Sequence, residues 1–170
     1  MEKLPVPTEK IRVFGDPVLK QQSREVENFD HDLENLTARM LQIMDRAEGI
    51  GLAAPQIGIQ RKIIVWRNPE TEEEYALVNP RVVERSEETV TASEGCLSLP
   101  GHSMEVERAE RVVVEAADLR GRPLTIEASG LLARILQHEI DHLEGRLILD
   151  RTSSEERKRV LKEMREQLES

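Results

Sequence analysis

Residues 136–145 read LQHEIDHLEG, and the spacing inside this stretch decides how the chain is built. Leu136, Ile140 and Leu143 continue an apolar stripe that begins at Leu131, Leu132 and Ile135. The spacing therefore predicts one amphipathic helix, opened by Ser129 as N-cap and closed by Gly145. His138 and His142 lie four apart on it. Four helical positions rotate by about 400° and rise about 6 Å, so the two imidazoles point within roughly 40° of each other and can converge on one cation. Glu139 stands about 100° round from His138, beside such a cation, where a carboxylate serves as general base on water.

A third ligand is still needed. The HExxHxxGxxH extension of the metzincins fails, because Ile148 occupies the place of the last histidine. Glu163 or Glu166 would give a thermolysin-like set, but both fall away from the apolar stripe of the last predicted helix. Cys96, in SEGCLSLPG (93–101), sits among small and apolar residues, and Gly95 permits close backbone approach. A thiolate with two imidazoles is a catalytic zinc set, so Cys96 is the strongest third ligand. It is the one cysteine of the chain, which excludes an internal disulfide and agrees with a reducing compartment.

Outside this region the composition is that of a globular chain: 170 residues, 38% hydrophobic and 34% charged, expected to form a single domain over 1–170. A net charge of −9 argues against DNA as a partner. No apolar run reaches the roughly 20 residues of a membrane helix. The segment MEKLPVPTEKIRVFG (1–15), a proline-marked arm, lacks the apolar centre of a signal peptide, so a cytoplasmic protein is expected.

DHDLENLTARMLQIMDRAE (30–48) places Leu33, Leu36, Met40, Leu41, Met44 and Ala47 on one helical face, capped by Asp30 or Asp32. KIIVWR (62–67) and EYALVNP (74–80) read as strands, RVVERSEETVTAS (81–93) as a weaker alternating stretch, and residues 104–118 and 122–128 as strands joined around Gly121. A last helix opens at SSEE, with Ser153 and Glu156 at capping-box spacing and Val160, Leu161, Met164 and Leu168 as its stripe. Strands and helices do not alternate, so the class is α+β.

EGIGLAAPQIG (48–58) contains G-x-G-x-x-A, but a helix precedes it and Pro55 obstructs a helix through it, which excludes a dinucleotide fingerprint. What remains is a turn where bare backbone approaches a ligand, followed by the amide of Gln56. Gly49 doubles as the C′ residue of the helix before it.

Taken together, GIGLAAPQ (49–56), EGCLS (94–98) and HEIDH (138–142) resemble, in this order, the three signature motifs of the peptide deformylase family, with GDPVL (15–19) in further agreement. The resemblance implies an α+β fold with antiparallel sheets around a central HExxH helix and a further helix at the C-terminus. It implies removal of the formyl group from the N-terminal methionine of nascent polypeptides. Further implications concern single residues. Cys96, His138 and His142 would hold one divalent ion, Fe²⁺ foremost, with Zn²⁺, Ni²⁺ or Co²⁺ also accepted by these donors. Glu139 would move the proton, and the Gln56 amide and the Leu97 N–H would stabilise the oxyanion. The backbone of Ile50 and Gly51 would pair with the peptide, and Ile50, Leu131 and Ile135, with Glu94 nearby, would line the methionine pocket. Glu48 and Arg108 would form an ion pair, and Asp141 would orient a ligand histidine. Arg134 would lie at the pocket rim or in solvent, and His102 would be exposed. Some relatives carry a substrate-touching arginine near Ser103. The implied partners are the formyl-methionyl peptide and, through Arg157, Lys158 and Arg159 of the last helix, the ribosome, with no membrane.

Two other classes of function fit parts of the pattern. Cys96 could act as nucleophile of a thiol hydrolase, which a chelator would spare. A metal-stabilised binding domain would need no carboxylate at Glu139.

Overall fold

A computed structural model describes Leu4 and residues 10–169, so most of the proline-marked arm lies outside the described residues. Helix α1 (His31–Arg46) starts where Asp30 accepts hydrogen bonds from the N–H groups of Asp32 and Leu33. It ends with Glu48 in the left-handed region (φ 59°), where the Glu48 and Gly49 N–H groups bond the carbonyls of Asp45 and Met44. Gly49 is therefore not the left-handed C′ residue expected from sequence. A different constraint acts on it: a Cβ at Gly49 would stand 2.6 Å from Leu97 Cδ1.

Seven strands follow: β1 (Gly51–Ala53), β2 (Ile63–Arg67), β3 (Glu74–Arg85), β4 (Thr89–Gly95), β5 (Ser103–Ala109), β6 (Arg111–Ala117) and β7 (Pro123–Ser129). Five form an antiparallel sheet in the order β1-β2-β3-β6-β7, while β4 and β5 form a separate hairpin. The stretch expected as one strand over 104–118 thus splits at Glu110 between two sheets. At this corner the Glu110 N–H bonds the Glu88 carbonyl and the Arg111 N–H bonds Ser86 Oγ. The weak stretch 81–93 divides likewise: β3 runs on to Arg85 through two register shifts, and β4 begins at Thr89.

Ile63, Ile64, Val65 and Trp66 of β2 are all buried, because helices cover both faces of the sheet. Ile63 and Val65 join Leu33, Met40 and Met44 of α1, while Ile64 and Trp66 join Ala133, Leu136 and Ile140 of α2 (Gly130–Leu143). Alternation along a strand sends successive side chains to opposite layers, and each fully buried Leu, Ile or Met contributes roughly 1.5–3 kcal/mol. Gly145 (φ 77°) turns the chain after α2, so close to the Lys20 carbonyl that a Cβ would meet it at 2.5 Å.

A third core joins Met104 and Val106 of the hairpin to Ile148 and Leu149 of the 3-10 turn Ile148–Asp150 and to Val160 of α3 (Ser154–Glu169). The Glu156 N–H bonds Ser153 Oγ, so half of the capping box forms. The Glu156 carboxylate turns instead to the Glu105 N–H. Leu168, expected in the stripe, is 88% exposed.

Candidate metal centre

His138 and His142 project from α2, and Cys96 follows β4 directly, so the hairpin and the helix must stay in register for the three to meet. They do meet: one donor atom from each lies within 4.8 Å of the others, with Cys96 Sγ 3.4 Å from His142 Nε2. Burial would raise the Cys96 thiol, but the neighbouring His142 and His138 outweigh it and hold the group well below its ordinary value. His138 moves the other way: burial opposes its charge, and Glu139, Cys96 and Glu94 outweigh that effect.

His138 Nδ1 lies 2.9 Å from Glu94 Oε1, which leaves Nε2 facing the cluster. Glu94 is the hub of a buried charge network. Arg108 reaches it through Nε and Nη2, both at 2.9 Å, and Arg134 Nη1 at 2.5 Å. Arg108 also donates to Asp141 at 2.6 Å, and Asp141 accepts from Arg151. Burial would raise Glu94, yet hydrogen bonds from His138 and Arg108 and the Arg108 charge hold it down at about 2.

Glu139 is 5% exposed and its Oε1 has no protein partner, while Oε2 stands 4.0 Å from His138 Nε2. Burial raises its pKa. A Cβ at Gly51 would lie 2.4 Å from Glu139 Oε2, so this glycine leaves the space that the carboxylate occupies. Gln56 is buried in a 3-10 turn (Ala54–Ile57), with Oε1 accepting from the Ala53 N–H. That bond aims Nε2 at Cys96 Sγ (3.6 Å) and Ser98 Oγ (3.1 Å).

These groups open into a cavity of about 650 Å³. Ile50, Gly51, Gln56, Glu94, Cys96, Leu97, Leu131, Ile135, His138 and Glu139, all expected from sequence, line it. Ile50 and Leu131 are about half exposed, whereas Ile135 is buried.

Several expected roles are redistributed. Glu94 lines the cavity, and both its oxygens are engaged by His138, Arg108 and Arg134, so it orients His138. Asp141, expected in that orienting role, serves two arginines. Arg108 pairs with Glu94 and Asp141, not with Glu48, which sits in the turn after α1. Arg134 is nearly buried (side chain 13% exposed) and engaged through Nη1 and Nη2. His102 is buried against α3, with Nε2 3.1 Å from Gln167 Oε1. Glu163 faces His102 and Arg159, away from the cluster. Ser98, fully buried beside Cys96 and Gln56, escaped sequence reading, since a serine within a loop motif carries no periodic signal.

Residues 8–158 match the polypeptide deformylase family. The peptide deformylase of Natranaerobius thermophilus is 51% identical over 142 residues, 84% of this chain and 90% of that protein. The crystal structure of peptide deformylase from Thermus thermophilus superposes with a TM-score of 0.87 at 43% identity, covering 93% of each chain. A peptide deformylase from Synechococcus elongatus, solved in complex with actinonin, gives a TM-score of 0.88 at 40% identity, over 96% of this chain and 91% of that one.

Proposed function

The chain belongs to the polypeptide deformylase family, metal-dependent hydrolases that release formate from the N-terminal formyl-methionine of nascent polypeptides, and on that premise we propose which of its residues perform the reaction. The observation that carries the assignment is the convergence of Cys96, His138 and His142 beside a buried Glu139 whose Oε1 has no protein partner. A soft thiolate and two imidazoles, one pinned by Glu94 through its far nitrogen, suit a divalent transition metal, and we place Fe²⁺ first with Zn²⁺, Ni²⁺ or Co²⁺ as alternatives. When bound there, the cation supplies Lewis acidity that makes water a nucleophile at neutral pH and polarises the formyl oxygen.

The chain's own groups do the rest. Glu139 takes a proton from the attacking water and returns it to the amine nitrogen as the C–N bond breaks, so that water and formamide become formate and a free N-terminus. The Gln56 Nε2–H and the Leu97 backbone N–H donate to the oxygen on which charge develops. Gln56 is preorganised for this by its bond to Ala53. The free edge of β1 at Gly51, with Ile50 beside it, pairs with the extended peptide, whose methionine side chain lies against Leu131 and Ile135. The chain acts as a single catalytic domain over 1–170 in the cytoplasm, where Cys96 stays reduced. A ribosome contact through α3 belongs to the same proposal. Arg157 and Arg159 already bond the Leu149 and Ser103 carbonyls, so a weak, salt-sensitive contact is expected.

The test separates ligands from base. Cys96→Ser, His138→Ala and His142→Ala should each lose bound metal together with formate release. Glu139→Gln should retain one metal per chain and lose about 10²–10⁴-fold in rate. Retention of metal by all three ligand variants would refute the set.

A further inference from the structure

Glu156, Arg159, Glu163 and Gln167 follow one another at helical spacing and share one face of α3, beside its apolar stripe. That face runs along the chain where the loop after Cys96 passes into β5. Glu156 Oε2 accepts from the Glu105 N–H at 3.1 Å, and Arg159 Nη2 donates to the Ser103 carbonyl at 3.0 Å. His102 meets the other two: its Nδ1 lies 3.4 Å from Glu163 Oε2 and its Nε2 3.1 Å from Gln167 Oε1. The imidazole is thus gripped through both ring nitrogens, and its side chain is only 4% exposed.

The loop that carries His102 has two halves with different anchors. In the first, Gln56 and Cys96 Sγ hold Ser98, the Phe14 N–H bonds its carbonyl, and Leu99 is buried in the third core. The metal ligand Cys96 and the Leu97 N–H are therefore fixed without His102. In the second half Pro100, Gly101 and Ser103 are exposed, and His102 is the one buried side chain between Leu99 and Met104. Residues 100–103 all line the cavity, yet none of them is a metal ligand or stands in the proton path. An exposed rim with no anchor in the interior has to be ordered each time a peptide binds, which weakens binding and leaves the chemical step alone.

We propose that His102 is a positioning residue for the peptide: gripped by Glu163 and Gln167, it fixes the cavity rim from Pro100 to Ser103, so that α3 acts on substrate binding from behind the loop without touching the substrate. This rests on the deformylase reading above and adds a determinant of binding to that same site.

The experiment measures kcat and KM for formate release from a formyl-Met tripeptide, with thermal unfolding alongside. The proteins compared are the unaltered one, His102→Ala, His102→Gln, Gln167→Ala and the double variant His102→Ala/Gln167→Ala. His102→Ala should raise KM by about three- to tenfold while kcat stays within about twofold. His102→Gln carries an amide that can still donate to Gln167 and should recover most of that loss. Gln167→Ala should give part of the same rise, and should add nothing in the double variant because it acts through His102. A residue serving stability alone would lower the unfolding temperature and leave KM where it was, and that result in folded His102→Ala overturns the proposal. A fall in kcat at unaltered KM overturns it too, since the effect would then lie in the half of the loop that holds Cys96 and Leu97. Should His102→Ala not fold, Gln167→Ala, an exchange on the exposed end of α3, decides in its place, and an unaltered KM there is the refuting result. No release from the unaltered protein removes the deformylase reading and this proposal with it, whereas release with the same KM in every variant removes the proposal alone.

Discussion

Replacing Gly51 by alanine adds one methyl group beside the proposed base. Gly51 lies in strand backbone paired with Trp66, so alanine meets no conformational obstacle there. The new Cβ would sit 2.4 Å from Glu139 Oε2 and 2.9 Å from Cδ. Ordinary contact needs about 3.4 Å or more, so the carboxylate must retreat by about 1 Å. The retreating atoms end a flexible side chain, and a Gly→Ala exchange at a compatible position itself adds about 0.4–1 kcal/mol of stability. Net stability should therefore stay within about 1 kcal/mol. Activity should not, since a misplacement of about 1 Å at a reacting group costs on the order of 100-fold, or about 2.7 kcal/mol of barrier. The assay is kcat/KM for formate release at matched metal content, with thermal unfolding alongside. Gly49→Ala is the control: its Cβ would press on Leu97 Cδ1, which is partly exposed and can swing aside, so its loss should stay below about tenfold. Gly51→Ala retaining activity within about threefold, or Gly49→Ala falling as far, would refute the assignment of Gly51 as the space reserved for Glu139.

Glu94→Gln removes the carboxylate that Arg108 and Arg134 share, leaving Asp141 as the charged partner of Arg108, and should cost about 1–3 kcal/mol of stability, measured by urea unfolding. A loss under 1 kcal/mol would mean that the network is not a unit. Gln56→Ala should lower kcat by about 10²–10³ with metal retained, read by single-turnover kinetics. An unchanged kcat would remove Gln56 from the oxyanion site. Asp150 is held below its ordinary 3.8, where its partial burial is outweighed by hydrogen bonds from the Leu147 N–H and Lys20. A depressed carboxylate contributes stability above pH 3.8 and loses it as pH falls through the folded value, so Asp150→Asn should cost about 1 kcal/mol at pH 7 after solvent screening and clearly less at the lowest pH at which the protein stays folded. Equal losses at both pH values would sink that account.

The central helix was legible because its ligands and its apolar period lie within one short stretch, where 3.6-residue geometry alone brings His138 and His142 together. Cys96 could be reached because it is the one cysteine. The strand breaks at Glu110 and before Thr89 were not legible, since hydrogen bonds that Ser86 makes and the Glu88 carbonyl accepts form that corner, and neither glycine nor proline marks it. The charge network around Glu94 was misassigned for a related reason. Glu94, Arg108, Arg134, Asp141 and Arg151 come together only when the hairpin folds onto α2, and pairings between distant charges leave no periodic trace. His102 was expected in solvent because the cover that α3 gives it is equally remote in sequence.

The most direct test is formate release from a formyl-Met tripeptide by protein purified without oxygen, with a chelator-treated aliquot and metal analysis of the same sample. The account predicts release by protein carrying about one metal per chain, abolished by the chelator and restored by adding back Fe²⁺ or Co²⁺. Release that survives complete removal of the metal would transfer the chemistry to the Cys96 thiolate, and no release from fully metal-loaded protein would contradict the activity itself.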